Sequence, residues 1–312
     1  MYLLNYLIIM ILQIIFVLMS IAFITLLERK FLSYIQLRKG PNKVGFIGII
    51  QPINDAIKLF SKEMIIILKS NYYYYYFIPL LGMLIMMMLW MSIYFKSNMF
   101  YMEMSMIYIL CWMSMSIYFL MICGWSSNSI YSLLGSIRSI SQTISYEVSM
   151  ILIMMSLFFF IESFSFNMMN LFQMYLWNIM FMFPLSLMFY ISILAELNRT
   201  PFDLSEGESE LISGFNIEYM SSLFAMIFLS EYGNIMFMMY LFNNMFFGKN
   251  NIILFYYMYM FMIFLIIWIR GTFPRIRYDN LMFLIWKKFL PMSLNYLIMM
   301  NFIKMMFMLM LN

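Results

Sequence analysis

Histidine is absent from this chain, and cysteine occurs only twice, at Cys111 and Cys123. Haem usually takes His, Cys or Met ligands, and an iron–sulfur cluster usually takes four cysteines. Methionine is plentiful, but a site ligated by methionine alone would be exotic, so no redox centre of this chain's own is expected. The two cysteines stand twelve residues apart on one predicted helix, roughly 18 Å along its axis, which argues against a disulfide. Charge is scarce too: 10% of residues are charged against 65% hydrophobic, and mean hydropathy is +0.89. That leaves too little polar surface to solvate a soluble domain. Small residues are rare as well, with 4 Ala and 11 Gly against 42 Met, 34 Phe and 24 Tyr. Helix packing in membranes favours small residues, so packing does not explain the skew. It points instead to an A+T-rich organellar genome that reads an extra codon as Met.

Apolar stretches of roughly 20 residues, each long enough to cross a ~30 Å hydrocarbon core as a helix, recur along the chain. Eight are predicted, at 3–27, 74–95, 102–123, 145–166, 174–195, 217–238, 252–270 and 289–311. The predicted fold is therefore all-α, a single polytopic membrane domain over 1–312 with about eight transmembrane helices. The first stretch lacks a cationic leader and a small-residue cleavage pattern, so it reads as a retained span rather than a signal peptide.

Eight spans place the polar loops 28–71, 124–144, 196–216 and 271–288 on one side. Fifteen of the 18 cations lie in those loops or at their borders, leaving Lys96, Lys249 and Lys304 opposite. By the positive-inside rule this side faces the compartment of insertion, the matrix for a mitochondrial protein, with both termini across the membrane. The acids follow the cations: 12 of 14, all but Glu103 and Glu162, lie in that face or in spans running from it. All seven arginines gather there, although lysine is the cation this codon bias favours. A need for planar bidentate donors and ordinary interfacial anchoring both fit that choice.

Glu28 and Arg29 are neighbours on a helix and face different ways, so each needs a partner elsewhere. After the turn cluster KGPNKVG, Ile49, Ile50, Ile53, Ala56, Ile57 and Phe60 keep helical spacing while Asn54, Asp55, Lys58 and Ser61 take the other arc. This predicts a short amphipathic helix along the membrane surface. The loop at 124–144 predicts a short helix that turns Arg138 away from Leu133, Leu134, Ile137 and Ile140. Tyr146 and Glu147 then open the fourth span, where a carboxylate also serves as a simple helix-start charge.

Glu196, Asp203, Glu206, Glu208, Glu210 and Glu218 put six of the 14 acids within 23 residues. Glu196 and Arg199 are spaced to meet on one helical face before Pro201 ends it. The remaining acids have no further cation among them; in a partly dry cavity they would hold protons more tightly and titrate as a group. Glu231 follows Glu218 by 13 residues, about 20 Å along a helix axis. Carboxylates at such depth mark ion or proton paths, a hydrogen bond to a neighbouring helix being the structural alternative. The segment RGTFPRIRYDNLMFLIWKKFLP reads equally as a lipid-headgroup anchor or a docking surface for a soluble partner.

The strings ERKFLSYIQLRKGPN, GWSSNS, QTISYE, AELNRTPFDLSEGESELISGFNIEY and FPRIRYDNLMFLIWK follow in that order over residues 28–288. They closely resemble the membrane-subunit-1 family of proton-pumping NADH:ubiquinone oxidoreductase, respiratory complex I, in its insect-type mitochondrial form. The resemblance implies an inner-membrane subunit between the soluble quinone-module subunits and the antiporter-like membrane subunits. Ubiquinone is then the substrate and membrane lipids the surroundings, with FMN and iron–sulfur clusters in partner subunits, no cofactor held by this chain alone, and no nucleic acid. On matching positions it implies Glu28, Arg29, Arg38, Asp55 and Phe228 near the quinone path. It also implies a proton relay through Glu147, Glu196, Asp203, Glu206, Glu208, Glu218 and Glu231. Arg138, Tyr146, Arg199, Arg275, Arg277 and Asp279 are structural or docking candidates. Two other readings remain: a stand-alone cation or proton transporter, which predicts internal repeats that this sequence does not display, and an assembly scaffold whose polar loops only dock the soluble arm.

Overall fold

The computed structural model describes residues 2–65, 68–93, 102–174, 176–204, 214–216, 218–249 and 251–311. Among the described residues every regular element is helical. The α-helices are α1 Tyr2–Ile35, α2 Gln51–Ser61, α3 Tyr72–Trp90, α4 Ser105–Ser126, α5 Ile130–Ile161, α6 Phe166–Phe172, α7 Asn178–Phe181, α8 Phe183–Glu196, α9 Ser221–Phe246, α10 Ile252–Thr272, α11 Tyr278–Leu284 and α12 Leu290–Leu311. A π-helical turn at Ile285–Phe289 joins the last two. Among the described residues seven helices are long and apolar enough to cross a membrane: α1, α3, α4, α5, α9, α10 and the continuous α11–α12 rod. At the fifth expected span stands the shorter apolar α8, whose 14 residues include a proline in the first turn. The proline's fixed φ and missing N–H suit a helix start, so α8 begins there rather than near residue 174. The result is a polytopic membrane protein of about eight spans.

Helix runs farther into two expected loops than the apolar runs indicate. α1 continues through Glu28 and Arg29 to Ile35. The short helix expected around Arg138 is the first part of α5, which runs unbroken from Ile130. Residues 130–161 contain no proline, and their apolar positions keep one helical period, so nothing stops the helix at the membrane boundary.

Cross-helix hydrogen bonds set the directions of the bundle. Tyr232 of α9 reaches Glu28 and Ser20 reaches Met236, so α1 and α9 run antiparallel. Ser141 meets Tyr278 while Lys304 donates to the Phe159 carbonyl, so α5 and α12 run parallel. Asn71 N–H donates to Ser126 O, and Ile276 N–H to Pro201 O. The connections predicted for one side therefore meet at one end of the bundle, with α2 packed beside α1 and α9.

Methionine, aromatic and branched aliphatic side chains fill the core, and two glycines stand where helices cross closely. A Cβ on Gly124 would lie 2.3 Å from Ser136 Cβ, and one on Gly233 would lie 2.5 Å from Met86 Cγ. Close approach of α4 to α5 and of α3 to α9 depends on these two absent side chains.

Candidate functional site

α8 ends in a turn that carries the site's centre. Asn198 takes the left-handed conformation at φ 49°. Its N–H donates to Ala195 O, and that of Arg199 donates to Leu194 O. This is the two-bond cap in which a left-handed residue closes a helix, a place where asparagine substitutes for glycine. The Gln142 amide on α5 clamps both sides of the turn, donating to Ala195 O at 2.8 Å and Phe202 O at 2.9 Å. The predicted helical pairing of Glu196 with Arg199 does not form, because the helix stops at Glu196. The Arg199 guanidinium instead lies 4.7 Å from the Tyr232 ring centroid.

Tyr232 joins this turn to α1. Its hydroxyl donates to Glu28 Oε2 at 2.6 Å, and the other Glu28 oxygen accepts from Arg270 Nη1 of α10. Arg29, turned about 100° from Glu28 on the same helix, pairs with Asp55 of α2 at 2.5 Å. Gln51 also donates to Asp55, at 2.9 Å. The adjacent acid and base of the motif thus serve two sites, an inner one with Tyr232 and Arg270 and an outer one at α2.

Glu28, Glu147, Glu196, Arg199 and Asp203 are all at least nine-tenths buried. Asp203 accepts from Arg275 Nη2 at 3.1 Å, and the Pro201–Ile276 backbone bond runs alongside at 2.9 Å. Together they latch the segment after α8 to the segment after α10. Below the turn is a cavity of about 60 Å³, lined by Glu196, Asn198 and Arg199 on one side and Ser116, Ser230, Glu231 and Asn234 on the other. A second, of about 30 Å³, adjoins it through Ser116, Glu196 and Asn234. A water needs roughly 10–15 Å³, so this space admits several. Glu196 Oε2, Asn198 Oδ1 and Asn234 Oδ1 are buried there without a hydrogen-bond partner among the described residues.

Glu147 lies in the middle of α5, so it is not a helix-start charge; that interaction fades within the first turn. It stands within electrostatic range of Glu196. Tyr146 is fully buried between Phe202 and Phe289, ring centroids 5.9 and 6.4 Å away, a packing position rather than a docking one. Phe228 stands between Phe224 and Tyr232, at 4.3 and 6.4 Å. The spacing of four residues puts all three rings on one face of α9. At the outer end of that row an open pocket of about 550 Å³ is bounded by Leu59, Lys62 and Glu63 near α2 and by Tyr219, Met220 and Phe224.

Glu218 accepts from Tyr75 through its backbone carbonyl, at 2.6 Å. Arg38 is exposed just past α1, and Arg138 is half-buried on α5. Arg277 and Asp279 pair at 2.9 Å on the surface. Glu206, Glu208 and Glu210 lie outside the described residues.

Sequence reasoning missed Tyr232, Arg270, Asn198, Asn234 and Ser116 as members of the site. One signal was available: Glu231 and Asn234 are three apart on a helix and share a face, whereas Tyr232 is rotated away from both, toward α1. That Tyr232 would meet Glu28, 204 positions away in sequence, has no local signal.

The sequence model of the NADH dehydrogenase family matches residues 8–301. NADH-ubiquinone oxidoreductase chain 1 of Aedes aegypti is 50% identical over 287 residues, covering 92% of either chain. The protein of that name from Locusta migratoria is 51% identical over 302 residues, covering 95% of this chain and 94% of its own. That from Apis mellifera ligustica is 48% identical over 303 residues, covering 97% of each. Matched along nearly its whole length, with every site residue from Glu28 to Asp279 inside the match, the chain belongs to the NADH dehydrogenase family that includes the NADH-ubiquinone oxidoreductase chain 1 proteins.

Proposed function

We propose that this chain is a core membrane subunit of respiratory complex I in the mitochondrial inner membrane, that its polar end faces the matrix, and that it helps form the ubiquinone chamber. The soluble quinone-module subunits would cover that end and carry the FMN and iron–sulfur clusters, while antiporter-like subunits continue the membrane arm. Ubiquinone would leave the bilayer at the pocket between α2 and the start of α9 and pass along Phe224, Phe228 and Tyr232. Ring faces there accept an apolar tail and a flat headgroup without fixing either. Arg29, Asp55 and Arg38 border this route on the outside.

The observation that supports coupling is the chain of contacts Arg270–Glu28–Tyr232–Arg199, buried apart from the half-buried Arg270, which ends at the cavity shared by Glu196 and Glu231. A change of charge or proton at Glu28 alters the hydrogen bond to Tyr232 and the field at Arg199. From there it reaches Glu196 and Glu147. Two ionised carboxylates about 4 Å apart at an effective dielectric near 20 repel by ~4 kcal/mol, enough for a change of charge at one to drive proton uptake or release at the other. Water in the cavity, held by Asn198, Asn234 and Ser116, would connect Glu196 to Glu231.

Asp203 serves as latch and relay member together, and Glu218, with Glu206 and Glu208 outside the described residues, belongs to the same proposed relay. The test uses assembled enzyme in proteoliposomes carrying Glu231→Gln or Glu196→Gln. Quinone reduction and proton pumping should both fall at least tenfold. Full, coupled turnover in either variant would sink the relay.

A further inference from the structure

We propose that Met64 is a site of reversible oxidation by hydrogen peroxide, and that its sulfoxide loosens the open pocket at the start of α9. One wall of that pocket has Lys62, Glu63 and Ile65, just past α2, and the other has Met220, Ser221 and Phe224. Met64 stands within the first segment and Ser222 within the second. The Ser222 hydroxyl donates to Met64 Sδ at 3.2 Å, so an O–H···S bond ties one wall to the other.

Access sets Met64 apart from the methionines of the spans. It is 54% exposed and stands beside the exposed charges of Lys62 and Glu63 at the polar end of the bundle. Met115 and Met260 are similarly exposed but lie inside α4 and α10, in an apolar layer that takes up little of so polar an oxidant. A thioether sulfur has two lone pairs, and Ser222 occupies one. The other attacks a peroxide oxygen: an S–O bond forms, the O–O bond breaks, and the sulfur gives up two electrons. The proton of the transferred hydroxyl ends on the departing oxygen, which leaves as water.

The added oxygen has no room in the present contact. An O–H···O bond spans ~2.7 Å by itself, and only 3.2 Å now separates the sulfur from the hydroxyl oxygen. An oxygen set between them pushes the walls apart or turns the side chain away. Either outcome ends the tie and puts a polar group where a flexible apolar one stood. The effect on turnover rests on the proposed passage of ubiquinone through this pocket; the modification and the loosening do not.

The experiment treats the assembled complex with hydrogen peroxide and reads three quantities. These are sulfoxide at Met64 by peptide mass spectrometry, deuterium exchange across Lys58–Ser61 in the last turn of α2, and KM and kcat for ubiquinone. Met64 should oxidise ahead of the span methionines, and exchange should quicken about two- to tenfold, the range that one hydrogen bond represents. KM should rise by a similar factor with kcat unchanged. Methionine sulfoxide reductases should reverse all three changes, and Met64→Leu should make exchange and KM indifferent to peroxide. Met64 left intact while span methionines oxidise, or an equal response in Met64→Leu, would overturn the proposal. Quickened exchange with an unmoved KM would keep the modification site and remove ubiquinone from this pocket. Should Met64→Leu fail to assemble, Ser222→Ala decides: with no tie to lose, its exchange should no longer respond to peroxide.

Discussion

Replacing Asp203 by Asn should release the latch between the segments that follow α8 and α10. The pair is 3.1 Å long, with Asp203 9% and Arg275 39% exposed at the side chain. At an effective dielectric near 20 the attraction is at most ~5 kcal/mol. Desolvation of the buried carboxylate and solvent screening of the arginine reduce its net contribution to ~1–2 kcal/mol. The neighbouring Ile276 N–H, bonded to Pro201 O at 2.9 Å, reports the opening directly. Its deuterium exchange in the assembled enzyme should quicken about 5–30-fold, the factor that ~1–2 kcal/mol represents. Exchange of the α9 core should not change. The reversed pair, Asp203→Arg with Arg275→Asp, should recover part of the protection. Unaltered exchange across Ile276 in an assembled Asp203→Asn complex would refute the latch, because the backbone bond would then be holding the two segments without the ion pair.

The spans were legible because hydrophobic length needs no tertiary information: a 20-residue apolar run must cross or aggregate. Charge asymmetry likewise grouped the polar loops, and they meet at one end of the bundle. Boundaries were less legible. Glu28, Arg29, Tyr146 and Glu147 looked like residues at the edges of spans, yet each lies inside a helix that continues beyond the apolar run, since helices end where capping or proline stops them. Glu196 and Arg199 had the spacing for one face, but the left-handed Asn198 intervenes, and asparagine's tolerance of that conformation is visible in sequence only after the turn is known. The Glu28–Tyr232 bond comes from the packing of α9 against α1, and the cavity shared by Glu196 and Glu231 lies where α4, α8 and α9 meet. They are properties of packing rather than of any local stretch.

Two further predictions separate roles within the site. Tyr232→Phe removes the 2.6 Å bond to Glu28 but keeps the ring beside Arg199. A hydrogen bond to a charged group contributes ~1.5–3 kcal/mol, so quinone reductase kcat should fall at least tenfold with assembly intact, and unaltered kcat would remove Glu28 from the coupling route. The second bears on whether the polar end only docks a soluble arm. A docking surface exposes its charges, and Arg277 and Asp279 do so, at 80% and 67% of their side chains. Glu147 and Glu196 are buried, where an ionised group costs several kcal/mol that no docking contact returns. Scaffolding alone therefore leaves their burial without a cause. Arg277→Ala should lower the amount of assembled complex while leaving turnover per complex near wild type. Glu147→Gln should do the reverse, with normal abundance on native gels and a severalfold loss of pumping per NADH oxidised. If instead Glu147→Gln reduced only assembly, with unchanged turnover per complex, the buried acids would belong to the scaffold after all.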